Sequence, residues 1–236
     1  MQNSAVLDRQ LTLPKTLIAL SLLTAVAMAY GVYLIFFFAP IEAQMGWVQK
    51  IFYFHVPCAW NLFLSVAVAC LGSVLFLTRR QDRWDRLGEA GTELAILFGT
   101  LVLMSGPLWG RKAWGAYWVW DVRLTSTLVL VLTMVAAKIV RGYAGPSARQ
   151  IAAGLTVFAV LNSIFVYYSV DIWRGTHPPK VVQNKLEPDM AKVFWFCVAT
   201  FLVGFVVLLW LRLRMGVLKS AVDRLHMLAT EAGIHD

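Results

Sequence analysis

The chain has 236 residues, 59% of them hydrophobic and 14% charged, with a mean hydropathy of +0.68. Ordinary soluble domains carry about 25% charged residues, so this composition argues against a water-facing globule. The net charge of +8 sits in the connections between apolar runs, where it reads as a topology signal rather than a nucleic-acid footprint.

A bilayer-crossing helix takes ~20 mostly apolar residues, and six runs of that kind follow in order. The first, Leu17–Phe38, comes after Arg9 and Lys15 and is stopped by Pro40. Its Ala25-Val26-Ala27 patch imitates a signal-peptidase site, but the run continues through Phe36-Phe37-Phe38. That is too long for a signal core, so the span is expected to be retained. The others lie near 56–77, 92–108, 123–140, 151–170 and 191–211. Their apolarity is continuous rather than alternating, which argues against a β-barrel. The expected fold class is all-α: a polytopic integral membrane protein of six transmembrane helices, one membrane domain, both termini cytoplasmic. That orientation rests on the 21 basic residues, of which 13 fall on the side of the termini and 8 on the other.

On the inner side, Thr78–Gly91 with its Arg79-Arg80-Gln81-Asp82-Arg83 run reads as an ordinary charged connector. The cytoplasmic tail, 212–236, carries Leu218, Val222, Leu225 and Leu228 at helical spacing. It reads as a helix lying on the membrane surface, or alternatively as a docking helix for a cytosolic partner. Cys58, Cys70 and Cys197 form no CxxC pair and read as small core hydrophobes.

Most of the unusual chemistry falls in three outer segments, Ala39–His55, Trp109–Val122 and Asp171–Met190. The second is rich in aromatic residues: Trp109, Trp114, Tyr117, Trp118 and Trp120, followed by Asp121. Two readings stand. The aromatic residues form an interfacial anchoring belt, or they form a flat apolar platform edged by indole N–H donors, suited to a large planar ligand such as a porphyrin. In a helix, Trp114 and Trp118 would stack at i, i+4. His55 and His177 lie on the same outer side. Each alone reads as a helix-end hydrogen bonder, but two flanking such a segment suit the axial positions of haem iron. Arg111, Lys112, Arg123 and Arg174 are candidate partners for haem propionates. For Arg123 the alternatives are an ion pair with Asp121 or a snorkelling helix end. For Asp121 the alternative is the N-cap of the fourth span.

Absences narrow the field. There is no GxxxxGK[ST] for ATP hydrolysis, no CxxCH for covalent haem and no HExxH for zinc. The spans are nearly free of charge, which argues against an ion pathway. A b-type electron carrier would place paired histidines inside the spans. A permease would need polar residues there.

The stretch Trp109–Thr125 resembles the tryptophan-rich "WWD" segment of a haem-handling membrane protein family. With Phe54-His55-Val56-Pro57, Trp173…His177 and the six-span length, it resembles most closely the haem exporter C branch serving cytochrome c maturation. Tyr117 stands where that family often has tryptophan, and Ile172-Trp173 replaces a frequent Trp-Trp pair. The resemblance implies a subunit that is not itself an enzyme, in a bacterial inner membrane. It would bind haem b as cargo on the periplasmic side, with His55 and His177 as axial ligands and the WWD segment, 109–122, contacting haem and the haem chaperone CcmE. It further implies an ABC-type complex with the ATPase CcmA, the membrane subunit CcmB and the small subunit CcmD.

Overall fold

The structure, a computed structural model, describes residues 12–173, 175–177 and 186–231. Helix α1 is Lys15–Tyr33 and runs on into a π-helical turn, Leu34–Phe38. A 3-10 turn, Trp47–Ile51, feeds α2, Phe52–Arg79. Then come α3 (Asp82–Trp114), α4 (Val122–Tyr143), α5 (Ala148–Ile172) and α6 (Pro188–Glu231). All six are long and apolar enough to cross a membrane, as the apolar runs predict, and no strand occurs among the described residues.

Small residues set the central contact. A methyl group built on Gly72 of α2 would lie 2.2 Å from the Gly88 nitrogen of α3, and one on Gly91 would lie 2.4 Å from the Ala69 nitrogen. The two backbones therefore touch, which in lipid replaces the missing hydrophobic drive with dispersion contact. Around this pair, Leu62, Val66, Leu94, Phe98, Leu130, Met134 and Phe205 form the main core, with Cys58 buried in it. A second cluster joins Ile35, Tyr53, Val193, Phe194 and Cys197 near the tryptophan-rich end. The cysteines are free, and Cys58 and Cys197 are buried, as expected of small core residues. Helix α1 lies at the periphery against α6, with Gly31 facing Phe196 and Cys197. Its exposed Leu22, Leu23 and Val26 are what a lipid-facing surface requires.

The charged stretch 78–91 is not a connector loop. The link is Arg80, left-handed with φ 54°, and extended Gln81, and α3 begins at Asp82. At 33 residues and 1.5 Å rise, α3 is ~50 Å long against a hydrocarbon core of ~30 Å, so its ends stay helical while carrying charge. Asp82, Asp85, Glu89 and Glu93 form a stripe on it, each paired with another helix. Arg141 of α4 pairs with Asp85, and Lys138 Nζ lies 2.6 Å from Glu89 and 2.5 Å from Glu93. Arg149 of α5 lies 2.9 Å from Asp82, and Arg212 of α6 pairs with Glu93. Low charge in the spans therefore holds for their middles and not for this end.

The tail also differs from expectation. It is no separate surface helix, because α6 is continuous over 44 residues, or ~66 Å. No proline interrupts it, and Gly216 sits against the aliphatic stem of Arg86.

Candidate functional site

The end of the bundle opposite the ion pairs gathers the sequence-marked residues. Ile51 is already helical, so the 3-10 turn enters α2 without a break and His55 sits in the first turn of α2 rather than before the helix. Lys50 anchors this entrance. Its buried ammonium donates to the carbonyls of Ala39 at 2.5 Å and Pro40 at 3.2 Å, just past the C-terminus of the first helix, where a cation is favoured. His55 leans on α3. Its Nδ1 lies 2.9 Å from Ser105 Oγ, and a methyl on Gly106 would come within 3.3 Å of its Cε1.

The tryptophan segment is half helix and half loop. Helix α3 continues to Trp114 and ends at Gly115, whose φ of 75° is open to glycine and strained for other residues. Trp114 and Trp118 are therefore not a helical stack, because the left-handed glycine between them turns the chain. Instead Trp109 meets Trp114 edge to face at 5.7 Å, and Trp118 meets Trp120 the same way at 5.6 Å. Trp109, Trp114 and Trp118 are half-buried, whereas Tyr117 and Trp120 are 58% and 78% exposed. Arg111 is spent locally, donating to the Gly115 carbonyl and lying 5.6 Å from the Tyr117 ring. Lys112 is exposed.

The third segment is tied to the second. Trp114 Nε1 donates to the Thr176 carbonyl at 3.1 Å, and Thr176 Oγ1 donates to Asp121 Oδ2 at 3.1 Å. Gly175 lies so close to that carboxylate that a methyl there would be 2.9 Å from Oδ2. The other oxygen, Oδ1, accepts from Leu124 N at 2.8 Å, so Asp121 is the N-cap of α4. Its hydrogen bonds go to the cap and to Thr176, with Arg123 only within electrostatic range. His177 is half-buried beside this tie, and it and Arg123 are both electrostatic neighbours of His55. Arg174 lies outside the described residues.

Two donors here are unpaired. Arg123 Nη1 and Trp118 Nε1 are buried with no hydrogen-bond partner among the described residues. A buried donor left unsatisfied costs about 1–3 kcal/mol, more when charged, so each of the two calls for an acceptor, an anionic one at the guanidinium. An open groove of about 500 Å³ lies between α4 and α5, lined by Trp120, Asp121, Thr125, Val129, Asn162 and Phe165. The site thus offers two imidazoles, aromatic faces and a guanidinium with one nitrogen unpartnered among the described residues. That donor set fits a planar metal-bearing dianion.

The profile of the family described as heme exporter protein C, CcmC, matches residues 4–228. The chain belongs to the heme exporter protein C family. It is 32% identical to "Heme exporter protein C" of Bradyrhizobium diazoefficiens over 203 residues, covering 85% of this chain and 76% of that one. To the protein of the same name in Escherichia coli strain K12 it is 32% identical over 203 residues, covering 83% and 81%. A "putative cytochrome c biosynthesis ccmC-like mitochondrial protein" of Marchantia polymorpha is 31% identical over 156 residues, 66% and 67% of the two chains.

Within this family frame, three residues around the site escaped sequence reasoning. Ser105 and Gly106 sit inside an apolar run with nothing to set them apart. Thr176 is marked only by standing next to His177. The acidic stripe at the far end did have a signal, the i, i+4, i+8 spacing of Asp85, Glu89 and Glu93.

Proposed function

We propose that this chain handles haem in cytochrome c maturation: it holds haem b at the periplasmic face of the bacterial inner membrane and passes it to the chaperone CcmE. The observation that carries the reading is that His177 of the 175–177 segment and Arg123 of α4 lie within electrostatic range of His55 on α2, with Arg123 Nη1 buried and without a partner among the described residues. His55 and His177 are the axial ligands. Arg123 is the best-placed propionate partner, since Arg111 is engaged at Gly115 and Lys112 points to solvent.

The tryptophans divide the work. Trp109, Trp114 and Trp118, half-buried, bound the porphyrin face, and exposed Tyr117 and Trp120 present the surface that meets the chaperone. The bound iron–porphyrin supplies the redox and vinyl chemistry; the chain's part is to orient it, neutralise its propionates and exclude water. Both termini then face the cytoplasm, with the ion-paired end and the protruding part of α6 on the side of CcmA. ATP hydrolysis belongs to that separate chain, and CcmB and CcmD complete the complex.

The test is haem content by pyridine haemochrome, with a visible spectrum, of the purified protein and of His55→Ala and His177→Ala. The expected result is a six-coordinate low-spin Soret band in the parent, lost or shifted in both variants while the protein still assembles. Parent-like haem content in both variants overturns the reading.

A further inference from the structure

The proton arrangement behind His55 determines which of its nitrogens faces a ligand. Ser105 has one hydroxyl proton. In α3 that oxygen lies 2.6 Å from the Leu101 carbonyl one turn back, a strong hydrogen bond, and 2.9 Å from His55 Nδ1. A second helical carbonyl, that of Val102, lies at 3.5 Å on the same side. The proton therefore goes to the helix, and the Ser105 oxygen meets the imidazole with a lone pair. Only a protonated Nδ1 satisfies that contact. The neutral ring then carries its free lone pair on Nε2. Gly106, the next residue, keeps the space against Cε1 open, so the Cε1–Nδ1 edge of the ring comes close to α3.

We infer that Ser105 is the positioning residue of the site: by accepting from His55 Nδ1–H it fixes the Nε2-coordinating tautomer and ring plane of His55 toward haem iron. The inference rests on the haem reading above and adds to it a residue that never touches the cargo. A hydrogen bond on the far nitrogen raises ligand basicity and orients the ring, and loss of such a partner typically weakens metal binding about 10–100-fold. A more basic imidazole favours ferric over ferrous iron, so removing the acceptor raises the midpoint potential.

The experiment uses the full chain in detergent or nanodiscs, titrated with haemin, comparing the parent with Ser105→Ala, Ser105→Thr and His55→Ala for haem affinity, midpoint potential and low-spin EPR signature. Ser105→Ala is expected to bind haem about tenfold more weakly, at a higher potential and with a changed low-spin signal. Ser105→Thr, which keeps the hydroxyl and its bond to the preceding turn, is expected to restore all three. Parent-like affinity and potential in Ser105→Ala, with His55→Ala depleted of haem, overturn the positioning role of Ser105 and leave the haem reading standing. A Ser105→Thr variant as impaired as Ser105→Ala also overturns it, because the hydroxyl is then not what matters. Parent-like haem binding in His55→Ala removes His55 as a ligand and overturns the role of Ser105 with it.

Discussion

The two ends of the bundle differ in how their charges are paired. At the ion-pair end, four acidic side chains of α3 each meet a cation from α4, α5 or α6, and the links are short: Arg80-Gln81 on one side and a turn through Gly145–Ser147 on the other. At the tryptophan end the connections are longer, the ties run between loops, and Arg123 Nη1 and Trp118 Nε1 are buried without an acceptor among the described residues. Paired charge in a low-dielectric setting is a clamp, even though Trp84 Nε1 and Arg212 Nε at that end also lack a partner among the described residues. The Arg123 guanidinium, by contrast, makes no ion pair among the described residues and is a seat for something else. Stability should accordingly reside in one end and ligand dependence in the other.

The largest effect tests the frame between them. Gly72→Val puts a branched side chain where even a single methyl meets the Gly88 backbone at 2.2 Å. The helices must separate, at a cost of about 3 kcal/mol or more, read as loss of monodisperse protein whether or not haem is present. Next comes the clamp. Asp85 and Arg141 have side chains only 10% and 14% exposed, so Arg141→Met strands a buried carboxylate. Arg149 Nε remains 3.5 Å away and softens the loss to roughly 2–3 kcal/mol. Adding Asp85→Leu should recover most of it. A double variant as unstable as Arg141→Met alone would mean the pair is not the clamp.

This division explains what was readable before the structure. Six helices follow from runs near the ~20 residues a bilayer demands, and that much was plain. Their true lengths were not, because α3 and α6 carry helix well past the apolar windows, held by ion pairs that only tertiary contact brings together. Trp114 and Trp118 share a helical spacing, yet Gly115 between them takes a left-handed φ and sends the segment on as a loop. His55 and His177 stand out by their company in the sequence, while Ser105 behind His55 is one more hydroxyl in an apolar run. The Asp121 cap was visible from the residue type alone, and its second bond, to Thr176 55 residues away, was not.

That second bond gives a smaller, sharper test. Asp121→Ala removes the α4 cap, worth about 1 kcal/mol, and also frees the segment carrying His177. Asp121→Asn keeps an acceptor for Leu124 N and a polar group for Thr176, so its stability should stay close to the parent's. The comparison is read from thermal unfolding alongside haem content. If the tie positions His177, Asp121→Ala loses more haem than its modest instability explains, and Asp121→Asn does not. Equal haem content in Asp121→Ala and the parent would reduce Asp121 to a cap.

Arg123→Met carries the smallest stability change and separates the two ends most cleanly. At the ion-pair end, deleting a cation destabilises because its partner is left behind. At Arg123 there is little to leave behind: Asp121 keeps its bonds to Leu124 and Thr176, and Asp171 is exposed at the end of α5. Removing a guanidinium with an unpaired buried nitrogen relieves a penalty, so thermal stability without haem should hold or rise by up to about 1 kcal/mol. Haem affinity should move the other way, falling about tenfold if one charge-assisted contact worth roughly 1.5 kcal/mol is lost. Stability and binding thus change with opposite signs in a single variant, measured by unfolding of the haem-free protein and by haemin titration. A drop in stability like that at Arg141 would make Arg123 part of the clamp and remove the distinction between the two ends.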